Sequence, residues 1–195
     1  MVANVDFVDT TLTINFKSVP LTDDNFYQLC ADNPNLRIEI SADGELVIMP
    51  PAFGETGERN FDLIGQLWAW NRHAKLGRAF DSSTGYILPD KSKFSPDVSW
   101  IENSRLVGVN LNQFIPIAPD FVIELRSTSD RLSALQKKMQ IYQVNGVRLG
   151  WLINPQERQV EIYRLGRSME LLASPSVLVG EDVLVGFSLD LTTIW

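Results

Sequence analysis

A glutamate lies inside the apolar run Phe121-Val122-Ile123-Glu124-Leu125, and a Pro96-Asp97 pair opens another candidate strand 27 residues earlier. An ionised carboxylate in a buried strand is costly unless something compensates it, and a bound cation is among the few groups that can. Two acids delivered by neighbouring strands suit a hard, oxygen-seeking ion such as Mg²⁺. Strand alternation places Val122, Glu124 and Arg126 on one face and Phe121, Ile123 and Leu125 on the other, while Asp97 goes with Ser99 and Ile101. If the two strands are neighbours, Asp97 and Glu124 converge on one cation, and the Leu125 carbonyl supplies a third oxygen.

Two further residues could serve such a centre. Arg37 to Ala42 and Glu45 to Met49 flank Asp43-Gly44, a hairpin signal. A two-residue loop there pairs Glu39 with Ile48 and gives it the face of Leu46, making Glu39 an inward carboxylate and Glu45 a solvated one. On a helix expected from Arg131 to Val144, the core stripe is Leu132, Leu135, Met139 and Tyr142. Lys138 emerges at the edge of that stripe, and Lys137 points further toward water. Plainer readings compete at every position. Glu124 could pair with Arg126 or another cation in a structural ion pair, and Asp97 could be a strand-entry residue after proline. Glu39 could be an edge-strand charge and Lys138 a snorkelling surface lysine.

Other chemistry lacks its residues. The one histidine, His73, falls near the end of a helix beside Arg72 and Lys75, where cations are favoured for their own sake. No G-x-S-x-G accompanies it, so a Ser-His-Asp hydrolase is unsupported, and a multi-His or Cys zinc site is excluded. Neither a Walker motif nor G-x-G-x-x-G is present. Cys30 stands alone among Phe26 and Leu29 as a small apolar filler, and Trp100 and Trp151 read as core aromatics.

These residues need a frame to hold them. A chain of 195 residues with 45% hydrophobic and 21% charged content reads as one globular domain spanning residues 1–195. No apolar run approaches the ~20 residues of a spanning helix. The opening Met1-Val2-Ala3-Asn4-Val5-Asp6 has no basic-then-apolar leader pattern, so a cytoplasmic setting is expected. The net charge of −7 argues against strong non-specific nucleic-acid binding, yet residues 121–167 carry eight basic and four acidic groups, a net-basic stretch that begins at the buried strand.

Alternation in Thr11–Lys17 predicts a strand, and Pro20-Leu21-Thr22-Asp23-Asp24 caps a short helix that ends before Asn33-Pro34. A long helix is expected from Glu55 to Lys75, with Leu63, Leu67 and Trp70 inward, Phe61, Ile64 and Trp68 beside them, and Gly77 as its stop. Short strands are expected at Ala79-Phe80, Thr84–Leu88, Val98–Ile101 and Phe121–Arg126. Further strands are expected at Arg148–Ile153, Gln159–Tyr163, Met169–Ala173 and Val183–Val185. Helices interleaved with strands, several of them in hairpins, indicate an α/β or α+β fold with a mixed central sheet flanked by helices.

Pro96-Asp97 followed by Glu124-Leu125-Arg126 resembles the PD-(D/E)xK nuclease signature. Arg37-Ile38-Glu39, Asp43 through Pro51, Ser95 through Val98, Pro119 through Leu125, and Tyr142 through Pro155 are together similar to the Uma family of restriction-endonuclease-like proteins. The similarity spans roughly residues 20 to 165. It implies a restriction-endonuclease-like core with an N-terminal hairpin, and a Mg²⁺-dependent DNA endonuclease, with Mn²⁺ as a possible substitute ion. Asp97 and Glu124 would be metal ligands, Glu39 an auxiliary acid, and the basic partner of the attacking water would be residue 126 or a residue of the next helix. Position 126 is arginine rather than lysine here, and a guanidinium with a pKa above ~12 holds phosphate but does not act as a base. Lys138, starting a Lys138-x-x-x-Tyr142 pair, is the substitute. Duplex cleavage further implies a homodimer. Two alternatives remain: a catalytically inactive DNA-binding or oligomeric module of the same fold, and, more distantly, a carboxylate-pair glycosidase.

Overall fold

The computed structural model describes residues 11–16, 18 and 21–195. The first strand, β1 (Leu12–Asn15), is followed by helix α1 (Asp23–Asp32), whose cap Thr22 accepts a hydrogen bond from the Asn25 N–H at 3.2 Å. The N-terminal segment Met1–Asp6, Lys17 and Pro20 lie outside the described residues. The hairpin follows as β2 (Arg37–Ile40) and β3 (Glu45–Met49). Next come the long helix α2 (Gly54–Ala74), β4 (Gly77–Phe80), β5 (Tyr86–Ile87), β6 (Lys93–Phe94) and β7 (Val98–Glu102). The buried strand β8 (Phe121–Leu125) leads through helix α3 (Leu132–Val144) into β9 (Leu149–Asn154). Strands β10 (Gln159–Arg164), β11 (Glu170–Ala173), β12 (Val177–Val179) and β13 (Ser188–Asp190) complete the described elements.

Two sheets carry the architecture. The larger has the order β11-β10-β9-β8-β7-β4 and is mixed: β8 and β9 run parallel, joined by α3, and the other pairings are antiparallel. The smaller has the order β1-β3-β2-β6-β5. Chain continuity from β6 to β7 runs through Ser95-Pro96-Asp97, so these three residues bridge the two sheets. The mixed α+β fold expected from the sequence is therefore the one observed, with α2 on one face of the large sheet and α3 on the other. Among the described residues, no helix is long and apolar enough to cross a membrane.

Strand alternation sorts the core. Val98, Trp100, Phe121, Ile123, Leu149, Trp151 and Val160 face α2, where Leu63 and Leu67 pack against them together with the C-terminal Phe187, Leu189 and Leu191. Ile101, Val122, Leu152 and Tyr163 face α3 and its buried Met139 and Tyr142. At Gly150 of β9 the Met139 side chain of α3 fills the space beside the backbone, where a Cβ would stand 2.6 Å from its methyl carbon. A third, smaller core joins Phe26 of α1 to Ile38 and Leu46 of the hairpin.

Four local expectations are corrected. The hairpin register pairs Glu39 with Val47 and Ile40 with Leu46, one residue away from the two-residue-loop reading. The loop is longer: Gly44, at φ 74°, donates to the Ser41 carbonyl, and Ser41 donates to the Glu45 carbonyl. Leu46 and Ile48 thus share the face of Ile38, and Glu39 points to the opposite one. Helix α2 ends at Ala74 with Lys75 as its cap, left-handed at φ 54°, two residues short of Gly77. Residues 183–185 form a turn rather than a strand, with Val183 and Leu184 buried all the same. Phe61 and Trp68, expected beside the inward stripe of α2, are 79% and 57% exposed.

Gly77 has a different use from stopping the helix. It opens β4 opposite Glu102, where a Cβ would lie 2.1 Å from the Ile101 carbonyl oxygen and 2.4 Å from the Trp100 ring. Neither atom is at the end of a flexible chain. Gly77→Ala is therefore expected to cost about 1–3 kcal/mol of stability through overpacking, measured as a lower denaturant midpoint at unchanged slope.

Candidate active site

The junction of the two sheets concentrates charge. Register of β7 on β8 pairs Val98 with Ile123, so Asp97 lies one step on, opposite Glu124, and both side chains fall on the α3 face. Asp97 is 8% exposed and Glu124 3%. The Asp97 Oδ2 accepts the Leu125 N–H at 2.9 Å, tying the bridge to the end of β8. From the small sheet, Glu39 of β2 accepts the Ser95 N–H on its Oε1 at 2.7 Å, which fixes the bridge from the other side.

Helix α3 inserts the cation. Lys138 Nζ stands 2.9 Å from Glu124 Oε1 and 3.0 Å from Glu39 Oε1, over the Phe94 and Tyr142 rings at 5.4 and 5.9 Å. Its neighbour Lys137 points to water and pairs with Asp43, as their helical positions require. One turn beyond Lys138, the Tyr142 hydroxyl donates to the same Glu124 Oε1 at 2.9 Å. Glu124 Oε2 takes no hydrogen bond from any described residue.

Electrostatics follow from this crowding. Burial above all, reinforced by Asp97 and Glu39 and opposed by Lys138, pushes Glu124 up to about 7. Burial alone would depress Lys138, but Glu124 and Glu39 outweigh it and raise it, so the lysine holds its proton. Tyr142 is driven well above the ordinary phenol range, by burial first and the nearby carboxylates second.

Of the residues singled out in the sequence, Glu39, Asp97, Glu124 and Lys138 meet at this junction, with the Leu125 backbone beside them. Arg126 stands apart. It lies one position past the end of β8, so alternation no longer aims it, and its Nη1 is 3.3 Å from Asn154 Oδ1 and 3.7 Å from Glu157. It therefore does not form the ion pair with Glu124 that the strand pattern allowed; Lys138 does.

One participant, Arg37, escaped sequence reasoning. Arg37, on the same face of β2 as Glu39, donates from Nη2 to the Ser95 carbonyl at 2.6 Å and stands 3.5 Å from Asp97 Oδ1, its buried Nε unpartnered. The spacing of Arg37 and Glu39 along one strand was the available signal. Tyr142, read as core and as the second member of the Lys138-x-x-x-Tyr142 pair, directs its hydroxyl to Glu124.

A divalent cation fits part of this set. Asp97 and Glu124 are cross-strand neighbours, and Pro96 falls opposite Leu125, where its missing N–H offers the Leu125 carbonyl no partner. Two carboxylates and a carbonyl suit Mg²⁺, which keeps several waters. No group of three or more His, Cys, Asp or Glu side chains among the described residues is arranged to hold a metal. The donor set is thus two side chains plus backbone, with Glu39 committed to Ser95 and Lys138. Asp120, another fully buried acid, differs: Arg105 at 2.9 Å, Arg148 at 3.5 Å and the Glu102 N–H at 2.9 Å satisfy it as a structural anchor at the other end of β8.

Comparison with known proteins places the fold. A crystal structure described as a "putative nuclease belonging to DUF820", from Anabaena variabilis, superposes with a TM-score of 0.75 at 23% identity, covering 90% of this chain and 97% of that one. No curated protein matches. The Uma2 family model, described as "Putative restriction endonuclease", matches residues 23–192, from the start of α1 to just beyond β13 and so across every element that builds the site. The chain belongs to the Uma2 family of restriction-endonuclease-like proteins.

Proposed function

We propose that the chain is a Mg²⁺-dependent phosphodiester hydrolase acting on DNA, with Mn²⁺ able to replace Mg²⁺, and that it works as a homodimer. One observation supports this reading most: Asp97 and Glu124, 27 positions apart in the chain, face each other across β7 and β8 beside a carbonyl that Pro96 cannot satisfy. Family membership supports a nuclease.

Asp97, Glu124 and the Leu125 carbonyl would hold the ion. When bound, the ion would polarise the phosphate and acidify a water. Lys138, kept protonated by Glu39 and Glu124, would orient the attacking water and stabilise charge developing on the phosphorus oxygens. Glu39 positions that lysine, and the Tyr142 hydroxyl holds Glu124 in place. Arg37, with its unused N–H beside Asp97, adds positive charge where a phosphate would lie. Arg126, partly exposed at the rim, would contact phosphate further along the strand rather than the reacting atoms.

A second reading has a specific observation behind it. Lys138 already neutralises Glu124 at 2.9 Å, which makes the cluster complete as a buried ion-pair network and the chain a non-catalytic DNA-binding or oligomeric module. The two readings separate on metal binding. In the hydrolase, Mn²⁺ binds the metal-free protein, and cleavage of duplex DNA requires it. Asp97→Ala and Glu124→Ala each abolish both binding and cleavage, while Lys138→Met leaves binding and cuts the cleavage rate by about 10²-fold or more. Calorimetric titration with Mn²⁺ and gel assays check this. Wild-type protein that binds DNA in a salt-dependent way but neither binds metal nor cleaves would establish the module instead.

Glu124 also sets a pH dependence. Unfolding returns its pKa from about 7 to the ordinary 4.5, so the folded chain holds the extra proton between those values. Stability of the metal-free protein is therefore expected to fall as pH rises across that window. Glu124→Gln should flatten that part of the profile, measured as Tm against pH in the presence of a chelator. An unchanged slope in the variant would contradict the assignment.

A further inference from the structure

Helix α2 carries a second, unused face. Opposite the buried Leu63 and Leu67, residues 54, 57, 61, 65, 68 and 72 all project within about 60° of one direction at 100° per residue. Two are large aromatics left to solvent, Phe61 at 79% and Trp68 at 57% exposure. Three are glycines, Gly54, Gly57 and Gly65, and a Cβ added at any of them would meet nothing within 4 Å. Three glycines in one 21-residue helix weaken it, and the monomer gains no packing from them in return.

Charge along this face is polar and self-complementary. Glu58 lies at the N-terminal end of this face, and Arg72 and Lys75 at its C-terminal end, all exposed, while Glu55 lies off the face and pairs with Arg59 at 2.9 Å. Glu58 has no ion-pair partner among the described residues, while Arg72 lies over the Trp68 ring at 5.3 Å.

We infer that this face of α2 is the interface for a second copy of the chain, docked antiparallel about a two-fold axis passing beside Gly65. In that arrangement Phe61 meets the partner's Trp68, Gly57 makes room for the partner's Arg72, and Glu58 lies beside that same guanidinium. Each contact occurs twice, as a two-fold requires. Antiparallel helix dipoles and opposed charges agree in sign. Gly65 at the axis lets the helices approach closely. Four aromatic side chains covering about 150 Å² each provide over a third of a standard interface of ~1,600 Å². The face lies across the large sheet from Glu124, so the inference stands whether or not the junction hydrolyses DNA.

Light scattering and sedimentation of the full chain across micromolar concentrations test it. Wild type is expected to be a dimer. Glu58→Arg and Arg72→Glu should each weaken it about tenfold or more, and the double variant should recover it, because the charges are exchanged in register. Gly65→Leu is the sharper variant: it fits the isolated helix and improves its propensity, so Tm holds or rises while the dimer is lost. A monomer at all concentrations overturns the inference. So does a dimer indifferent to Gly65→Leu and to Phe61→Glu with Trp68→Glu. Trp68 fluorescence that is unaffected by dilution but red-shifts on removal of residues 1–10 would overturn it too, assigning the face to that segment.

Discussion

The pairing of Lys138 with Glu124 is the interaction on which this structure turns. A carboxylate in the middle of a central strand, nearly closed to water, costs several kcal/mol unless a counter-charge is held against it. Helix α3 provides that counter-charge at 2.9 Å, and the Tyr142 hydroxyl adds a hydrogen bond to the same oxygen. Other features follow from keeping this lysine in place. Met139 of α3 packs onto Gly150 of β9, Glu39 reaches across from a different sheet to take the other side of the ammonium, and Phe94 and Tyr142 enclose it. Burial still outweighs this pairing enough to raise Glu124, and one of its oxygens stays uncommitted.

Bringing two sheets together at a proline explains why the site lies where it does. Ser95-Pro96-Asp97 is too short for secondary structure of its own, and both sheets claim it: Glu39 accepts its first N–H, and Leu125 donates to its last carboxylate. Pro96 removes a donor that would otherwise have continued the β7–β8 ladder. The paired residues of the ladder end at Val98 and Ile123, and Asp97 and Glu124 follow as cross-strand neighbours. Asp120, equally buried just before the strand, has two arginines within ion-pair distance of Oδ1 and the Glu102 N–H on Oδ2. The contrast between the two acids lies in their counter-charges, two arginines for Asp120 and one shared lysine for Glu124, rather than in burial.

Arg126 takes no part in this cluster. A residue just past the strand end escapes the alternation that aims Glu124, and Arg126 turns to Asn154 and Glu157 instead. The ammonium comes from α3, and it reaches Glu124 from the helix side of the sheet.

Much of this was readable in the residues themselves. Alternation in Val98–Ile101 and Phe121–Leu125 set the faces of Asp97 and Glu124, because a strand's period of two leaves no choice once one face is apolar. Helical spacing separated Lys138 from Lys137, and both lysines went where that spacing sent them. The mixed fold followed from strands interleaved with helices. Tertiary structure alone decided the rest. Loop length between β2 and β3 moved the register by one residue and turned Glu39 away from Leu46, since pairing is counted from the turn and not from the strands. Adjacency of β7 and β8, the partners of Arg37, and the exposure of Phe61 and Trp68 depend on which surfaces meet across long stretches of chain. A local pattern records a residue's face, but only the packed chain determines what that face touches.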